Sequence, residues 1–464
     1  MSKRPKRQRS LGLISLGCAK NEVDSERILG AAAEAGWLVC GDPADADVVV
    51  VNTCGFIEAA RSESLGAIRE ALALKAKGRC RAVVVAGCLA ERAGRELSCE
   101  LPDVDAWVGI ADPRRLPELA AELLGQGGAD APRVRIGPLP HEFGDEGARL
   151  RITPRHYAYL RIAEGCDNRC AYCAIPLIRG PLRSKPIETC LAEARELAAD
   201  GCRELILIGQ DTTNYGLDLY GHRALPMLLE LLAQVEPLRW LRVLYSHPAH
   251  FDEAAIEAFA TTPKLCPYVD IPIQHASDRI LARMGRGTTR ADMAGLIARL
   301  RARITDLTLR TTALVGYPGE TEADFAELLG FVEEAEFDRL GAFAYSEEDG
   351  TRAAGEGPAV PEGVRQARVD ELMRRQQAIA FRKARARVGT RVEAVLDRPL
   401  GGGVFAARSA AEAPDVDPVI RVRGRRLRPG QFIEVEITDA IGYDLEARVG
   451  GKPQGRKEAH GPRA

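Results

Sequence analysis

No run of about 18 apolar residues occurs in this 464-residue chain, so no membrane span is expected. The opening residues, Met1–Ser10, are basic but lack the apolar core of a secretory signal, and they read as a disordered tail. Excess charge is missing as well. A formal net charge of −2 predicts no strong general affinity for nucleic acid or membrane. Neither DNA nor membrane is therefore an expected partner, and the cytoplasm is the expected location. A small disulfide scaffold is excluded by length. Twelve cysteines in a chain this long point instead to metal or redox chemistry in a reducing compartment.

The chain is organised around Glu164–Pro176, which holds Cys166, Cys170 and Cys173 in the spacing CxxxCxxC. No second Cys-x-x-Cys pair lies nearby, whereas structural zinc sites usually have one, or histidines in its place. Closed ferredoxin-type clusters use four cysteines. Three thiolates would hold three irons of a [4Fe–4S] cluster and leave the fourth open; zinc is the competing reading. The spacing, with Tyr172 before the last cysteine, resembles the radical S-adenosylmethionine (SAM) superfamily. In that superfamily the open iron chelates the amino and carboxylate groups of SAM.

Upstream, strand patterns at Leu11–Leu16, Asp47–Asn52, Ala82–Gly87 and Ala106–Ile110 alternate with helical patterns at Asn21–Ala35, Glu58–Lys77 and Pro117–Leu124. That alternation predicts a parallel α/β sheet domain over residues 9–125. Cys18, Cys54 and Cys88 each fall just past the carboxyl end of a strand, the edge where open α/β sheets bind ligands. Gly17, Gly55 and Gly87 beside them permit tight turns and close approach. The three thiols are expected to converge on a second cluster; buried free thiols are the alternative. Cys40, Cys80 and Cys99 fail the position test, Cys80 by lying at the wrong strand end and the others by lying in connections.

Gln126–Gly147 reads as a linker rich in Gly, Pro and charge. Six βα units follow over residues 152–385, with strands at Tyr157–Ala163, Glu204–Gly209, Arg239–Tyr245, Tyr268–Ile273, Leu307–Leu314 and Arg339–Ala344. Six units predict a partial (βα)6 barrel, short of the closed TIM barrel, with its site at the carboxyl ends of the strands. Gln210, Ser246 and His247 sit at those ends and are candidate SAM or substrate contacts. His247 and His275 read equally as ligands or as hydrogen-bonded wall residues.

A helix at Pro361–Arg385 leads into a β-rich module, residues 388–454, with strands at Thr390–Asp397, Val404–Ala407, Val419–Val422 and Phe432–Thr438. Its size suits a small β-barrel. Nine arginines against ten Asp or Glu make Val388–Val449 nearly neutral. Arg421–Arg428 forms a local basic patch, either a binding surface or a solvated hairpin. The residues after Gly450 read as disordered.

Taken together the chain resembles the methylthiotransferases, which join a three-cysteine domain, a radical SAM core and a C-terminal TRAM domain. The segments that carry the likeness are Gly17–Asn21, Val51–Gly55, Gly87–Leu89, the loop from Glu164, Pro318–Thr321 and Tyr345–Glu348. Thr153–Leu160, Gln210–Gly216, Ala413–Asp417 and Gly442–Leu445 resemble the branch that modifies an aspartate of ribosomal protein S12 rather than the transfer-RNA branch. Two positions depart: Ala19 stands where the family often has proline, and Pro418 where it usually has glycine.

The resemblance implies a transferase with two [4Fe–4S] clusters and SAM. Cys166, Cys170 and Cys173 would serve SAM cleavage, and Cys18, Cys54 and Cys88 would serve sulfur insertion. The radical from SAM would take hydrogen from the aspartate β-carbon, a C–H bond that no side chain of ordinary pKa ionises, and a second SAM would supply the methyl group. It also implies an electron donor such as flavodoxin or ferredoxin. The rival readings are a transfer-RNA methylthiotransferase and a non-catalytic iron–sulfur protein that binds RNA. Near-neutrality of the last module disfavours RNA; Asp415, Asp417, Glu434 and Glu436 are expected to steer a basic protein substrate.

Overall fold

The structure is a computed structural model that describes residues 8–110, 113–125, 132–144 and 147–450. The tail readings for residues 1–7 and 451–464, and the linker reading for 126–131 and 145–146, lie outside the described residues.

The first unit is a six-stranded parallel sheet of β1 (Ser10–Ser15), β2 (Leu38–Cys40), β3 (Val48–Thr53), β4 (Ala82–Gly87), β5 (Ala106–Val108) and β6 (Arg133–Arg135), in the order β2-β1-β3-β4-β5-β6. Helices α1 (Ala19–Glu34), α2 (Glu58–Lys77), α3 (Cys88–Glu100) and α4 (Leu116–Gly125) cover both faces. Period-two alternation sorts the apolar runs. Val48, Val50, Ala82 and Val84 face α1 and α4, whereas Val49, Val51, Val83 and Val85 face α2 and α3. Being buried on both sides is why these strands read as continuous valine. Two strands differ from expectation. Cys40 ends the short edge strand β2 and is not in a connection. Arg133–Arg135, inside the expected linker, pairs with β5 through its backbone, a contact that composition does not encode.

The second unit has strands β7 (Tyr157–Arg161), β10 (Glu204–Ile208), β11 (Trp240–Val243), β12 (Leu265–Asp270), β13 (Thr308–Val315) and β14 (Arg339–Ala344), all parallel and in chain order. It is the expected open (βα)6 half-barrel. Between β7 and β10 a small antiparallel pair, β8 (Ala163–Glu164) with β9 (Arg183–Ser184), was not expected. Ile187–Ala199, Leu225–Ala233, Glu253–Thr261, Arg290–Arg303 and Glu322–Ala335 form its longer outer helices.

Helix Glu362–Ala386 leads to a closed five-stranded barrel, Arg391–Gly401, Val404–Arg408, Ile420–Arg423, Phe432–Ile441 and Asp444–Val449. The fifth strand was missed because its only turn signal, Gly442, makes a very tight hairpin. This barrel docks into the amino-terminal half of the half-barrel. Val395 and Ala413 join Tyr157, Tyr159, Trp240 and Tyr268 in one buried cluster.

The docking buries one acid expected to face solvent and bonds a second that stays exposed. Asp417 accepts from the Tyr268 hydroxyl at 2.7 Å and the Ala413 amide at 2.9 Å, and its side chain is 1% exposed. Asp415 accepts from the Tyr157 hydroxyl at 3.1 Å. Asp417 therefore fixes this seam and cannot steer a partner. The two departures are absorbed. Ala19 opens α1 as a good helix former in the position proline favours. Pro418 occupies no left-handed backbone.

Candidate functional site

The CxxxCxxC loop leaves β8 and returns on β9, so a strand pair clamps its two ends. Inside, the Cys166 amide donates to the Gly180 carbonyl at 3.0 Å, and Asp167 accepts from the Leu182 amide at 3.0 Å. The Ala171 amide donates to the Met284 carbonyl at 2.8 Å. Gly165 has φ +77, and a Cβ there would lie 2.0 Å from the Pro181 carbonyl oxygen, so no other residue fits. Burial pushes the Cys166 and Cys173 thiols up to about 12, as expected of thiols desolvated beside one another.

Cys18, Cys54 and Cys88 all lie at the carboxyl edge of the first sheet: Cys18 caps α1, Cys54 follows β3, and Cys88 opens α3. Gly17 and Gly87 have φ of +93 and +92. A Cβ on Gly17 would come within 3.3 Å of the Cys54 sulfur, and one on Gly87 within 2.3 Å of Asn52 Oδ1. Burial, opposed by Arg179, pushes the Cys88 thiol up to about 12. Among the described residues no three such groups are gathered around the position of a single metal ion. A four-iron cluster asks for something else, since each thiolate takes its own iron. Each set supplies three thiols on glycine-flanked turns, the donor type such a cluster takes.

One side chain touches both regions. Arg179, buried at the end of the helix Ile175–Arg179, donates to Glu164 Oε2 (2.9 Å), Asn21 Oδ1 (2.7 Å), Asp24 Oδ2 (2.9 Å) and the Cys88 sulfur (3.1 Å). Arg161 joins Glu164 at 2.7 Å and also pairs with Asp24. Burial works against the Glu164 carboxylate, but Arg179 and Arg161 more than offset it and hold its pKa at about 2. The sequence signal for these residues was weak. Glu164 flanks the first cysteine of its loop and Asn21 and Asp24 follow Cys18 closely, but nothing in sequence joins them to Arg179.

Gln210 donates to Glu164 Oε1 at 2.7 Å, leaving its own Oε1 enclosed without a partner among the described residues. The Ser246 hydroxyl is likewise enclosed and has no partner among the described residues. Two orphan polar atoms at the carboxyl edge fit an incoming polar ligand such as SAM. His247 stacks on His250 (ring centres 4.6 Å apart), and its Nδ1 accepts from the Ala249 amide at 3.2 Å. Burial, reinforced by Arg286, holds His247 down at about 3, so it is a neutral imidazole. His275 is fully buried, its Nδ1 accepting from the Ser277 amide at 3.0 Å, while its Nε2 lies 3.6 Å from Glu320 and has no hydrogen-bond partner among the described residues. The sequence did not single out Arg286, whose guanidinium donates to the Cys170 sulfur at 3.4 Å and to the Pro272 carbonyl at 2.6 Å.

Family models match in three blocks: Uncharacterized protein family UPF0004 over residues 10–109, the Radical SAM superfamily over 160–332, and the TRAM domain over 388–449. Among solved structures, the radical SAM methyltransferase TsrM from Kitasatospora setae aligns over 75% of this chain and 74% of its own, with TM-score 0.54 and 16% identity. That likeness concerns the fold. Among curated proteins, ribosomal protein uS12 methylthiotransferase RimO from Symbiobacterium thermophilum is 46% identical, covering 94% of this chain and 90% of that protein. RimO from Desulforamulus reducens is 44% identical, covering 94% and 98%. RimO from Anaeromyxobacter sp. strain K is 46% identical, covering 94% and 92%. With three cysteine-bearing strand ends facing a CxxxCxxC half-barrel, and with identity of this order along nearly its whole length, the chain belongs to the ribosomal protein uS12 methylthiotransferase RimO family.

Proposed function

We propose that the chain is a radical SAM methylthiotransferase acting on ribosomal protein uS12 and that its target atom is the β-carbon of an aspartate. The observation that carries this reading is the juxtaposition of two cysteine groups, with Arg179 in contact with Cys88 of one group and Glu164 beside the other. A methylthio group has a sulfur and a methyl to deliver, and one substrate position must be reached from both groups. Cys166, Cys170 and Cys173 would hold the cluster that binds SAM. Cys18, Cys54 and Cys88 would hold the cluster that serves sulfur. When bound, such clusters supply one-electron and sulfur chemistry at a carbon that no side-chain acid or base can deprotonate.

The chain's own residues supply placement. The β8–β9 clamp fixes the first cysteine loop, and Arg179 fixes its distance from the first sheet. Gln210 Oε1 and the Ser246 hydroxyl are free to bind polar groups of SAM or substrate, and neutral His247 is available as a hydrogen-bonding partner rather than a cation. Among the described residues no helix is long and apolar enough to cross a membrane; we place the enzyme in the cytoplasm, with flavodoxin or ferredoxin as its electron donor and uS12 presented free or in the ribosome. The test is incubation of the iron-reconstituted chain with SAM, reductant, a sulfur source and either uS12 or transfer RNA. Mass spectrometry should find a methylthio group on an aspartate of uS12; its appearance on transfer RNA instead would refute the reading.

A further inference from the structure

Lys20 is a largely buried side chain whose ammonium pairs with no carboxylate among the described residues. It lies two residues after Cys18 on α1, is 7% exposed, and sets its ammonium 3.1 Å from the centre of the Tyr245 ring. A ring face attracts an ammonium but meets only one side of a group with three N–H donors. Among the described residues nothing else accepts from it. The neighbouring buried cations differ. Arg161 has Asp24 and Glu164, Arg179 has Asp24, Glu164 and Asn21, and Arg286 has the Cys170 sulfur and a carbonyl. Its ammonium is not among the fully enclosed unpartnered atoms, so its free N–H donors stay open to an incoming acceptor.

Its position says which side of the molecule the partner would come from. Ala19 and Val23 on the same helix pack against the inner-face cluster that includes Tyr157, Tyr159 and Leu244. The contact of Lys20 with Tyr245, just past the carboxyl end of β11, places its ammonium between Cys18 and that strand end. Tyr245 beneath it has φ +66, left-handed for a non-glycine residue, and is pinned by donation of its amide to Asp270 Oδ2 at 2.9 Å. Backbone strain of this kind collects where a site is held ready.

We propose that Lys20 is the residue that recognises the substrate's acidic side chain. Its ammonium would take the carboxylate of the uS12 aspartate, which rests on the uS12 reading given above. The carboxylate carbon is bonded directly to the β-carbon, so anchoring one fixes the other at the barrel mouth between the two cysteine groups. A neutral side chain or a nucleobase at that position would offer the ammonium an acceptor but no countercharge.

A double-mutant cycle on the iron-reconstituted, full-length chain tests this. Binding is followed by fluorescence anisotropy with labelled uS12, and with uS12 carrying asparagine in place of the modified aspartate. Lys20→Met should weaken binding of uS12 by about tenfold to a hundredfold, the range of a hydrogen bond to a charged group. It should change binding of the asparagine form by no more than about twofold, and Lys20→Arg should recover most of the loss. If Lys20→Met fails to assemble, Lys20→Gln carries the same cycle. Equal weakening for both substrates would mark a structural lysine and overturn the assignment, as would unchanged uS12 binding with weakened SAM binding. A wild-type chain that methylthiolates uS12 but shows no coupling sinks this assignment alone. One that neither binds nor modifies uS12 sinks the substrate reading and this assignment with it.

Discussion

The two ends of the half-barrel differ in what is left over once their buried charges are paired. At the amino end nearly every buried charge is matched. Glu204 accepts from Arg242 at 2.8 Å and Arg408 at 2.6 Å, Arg408 continues to Asp397 at 2.8 Å, and Asp397 meets His156 at 2.8 Å. Glu412 ties Arg387 and Arg339 into the same docking surface. The carboxyl end also pairs buried charges, Arg179 and Arg161 with Glu164 and Asp24, but adds left-handed Tyr245 and Gln274, the orphan Gln210 and Ser246 oxygens, Lys20 without a carboxylate among the described residues, and six thiols in two groups. Matched charge holds a module in place, and unmatched groups leave room for ligands. In barrel folds the carboxyl end is the reactive one and the amino end the stabilising one. Here the C-terminal barrel reinforces that division by filling the amino end.

The sharpest way to break the comparison is to empty the carboxyl end. Changing Cys166, Cys170 and Cys173 together to Ala should abolish SAM cleavage while leaving about four irons per chain. Changing Cys18, Cys54 and Cys88 to Ala should preserve uncoupled SAM cleavage and abolish sulfur insertion. Iron analysis, Mössbauer spectra and release of 5′-deoxyadenosine distinguish the two, and a triple variant that kept both clusters would refute the assignment. Single Ala changes at Cys40, Cys80, Cys99, Cys190, Cys202 and Cys266 should leave iron content unchanged. Four of them, Cys80, Cys190, Cys202 and Cys266, are buried in apolar clusters.

At the amino end the expected damage is to stability. Arg408→Ala leaves Glu204 and Asp397 without their shared cation, and breaking a buried pair in this way costs about 3–5 kcal/mol. Urea unfolding should show that loss, while turnover per correctly folded, cluster-loaded molecule stays near wild type. A variant with full stability and no activity would mean that the division between the two ends is wrong.

A smaller effect should follow pH. Burial alone would raise the Glu412 pKa, but Arg387 and Arg339 outweigh it and depress it from 4.5 to about 2. Its stabilising contribution is thus complete above about pH 4.5 and is lost as pH falls toward 2, about 3 kcal/mol in all by linkage. Glu412→Gln should flatten this part of the acid limb of a stability–pH curve for the cluster-free chain. An unchanged limb would show that the Glu412 pairs do not hold the seam.

Legibility in the sequence followed the range of the interactions. Strand-end cysteines are set by local alternation, so Cys18, Cys54 and Cys88 could be placed on one edge from sequence. CxxxCxxC is local by definition. Pairing that links distant segments was not legible. Arg179 lies 91 positions from Cys88, and Lys20 and Tyr245 share no local pattern. Asp417 looked like a free surface acid because the sequence does not say that Tyr268 donates to it from 149 positions away. The short strands Leu38–Cys40 and Arg133–Arg135 take their structure from neighbouring backbone rather than from their own side chains.

The smallest expected effect concerns the outer face of the C-terminal barrel, away from both ends of the half-barrel. Arg421 pairs with Asp444 at 3.2 Å, whereas among the described residues no carboxylate pairs with exposed Arg423, Arg425, Arg426 or Arg428. Acidic Glu434 and Glu436 are matched on the surface by Arg391 and Arg448. With Asp417 buried in the seam, the free charge of this face is positive, so it suits phosphate better than it suits a basic protein. Each phosphate contact adds close to one unit to the slope of log affinity against log salt. The full-length chain should therefore bind ribosomal RNA fragments weakly, and Arg423→Ala with Arg425→Ala should lower that slope by about two. If this patch serves only to bring the enzyme to ribosome-bound uS12, the double variant should modify free uS12 at the wild-type rate and assembled subunits more slowly. A matching loss on free uS12 would instead assign the patch to direct contact with the protein substrate.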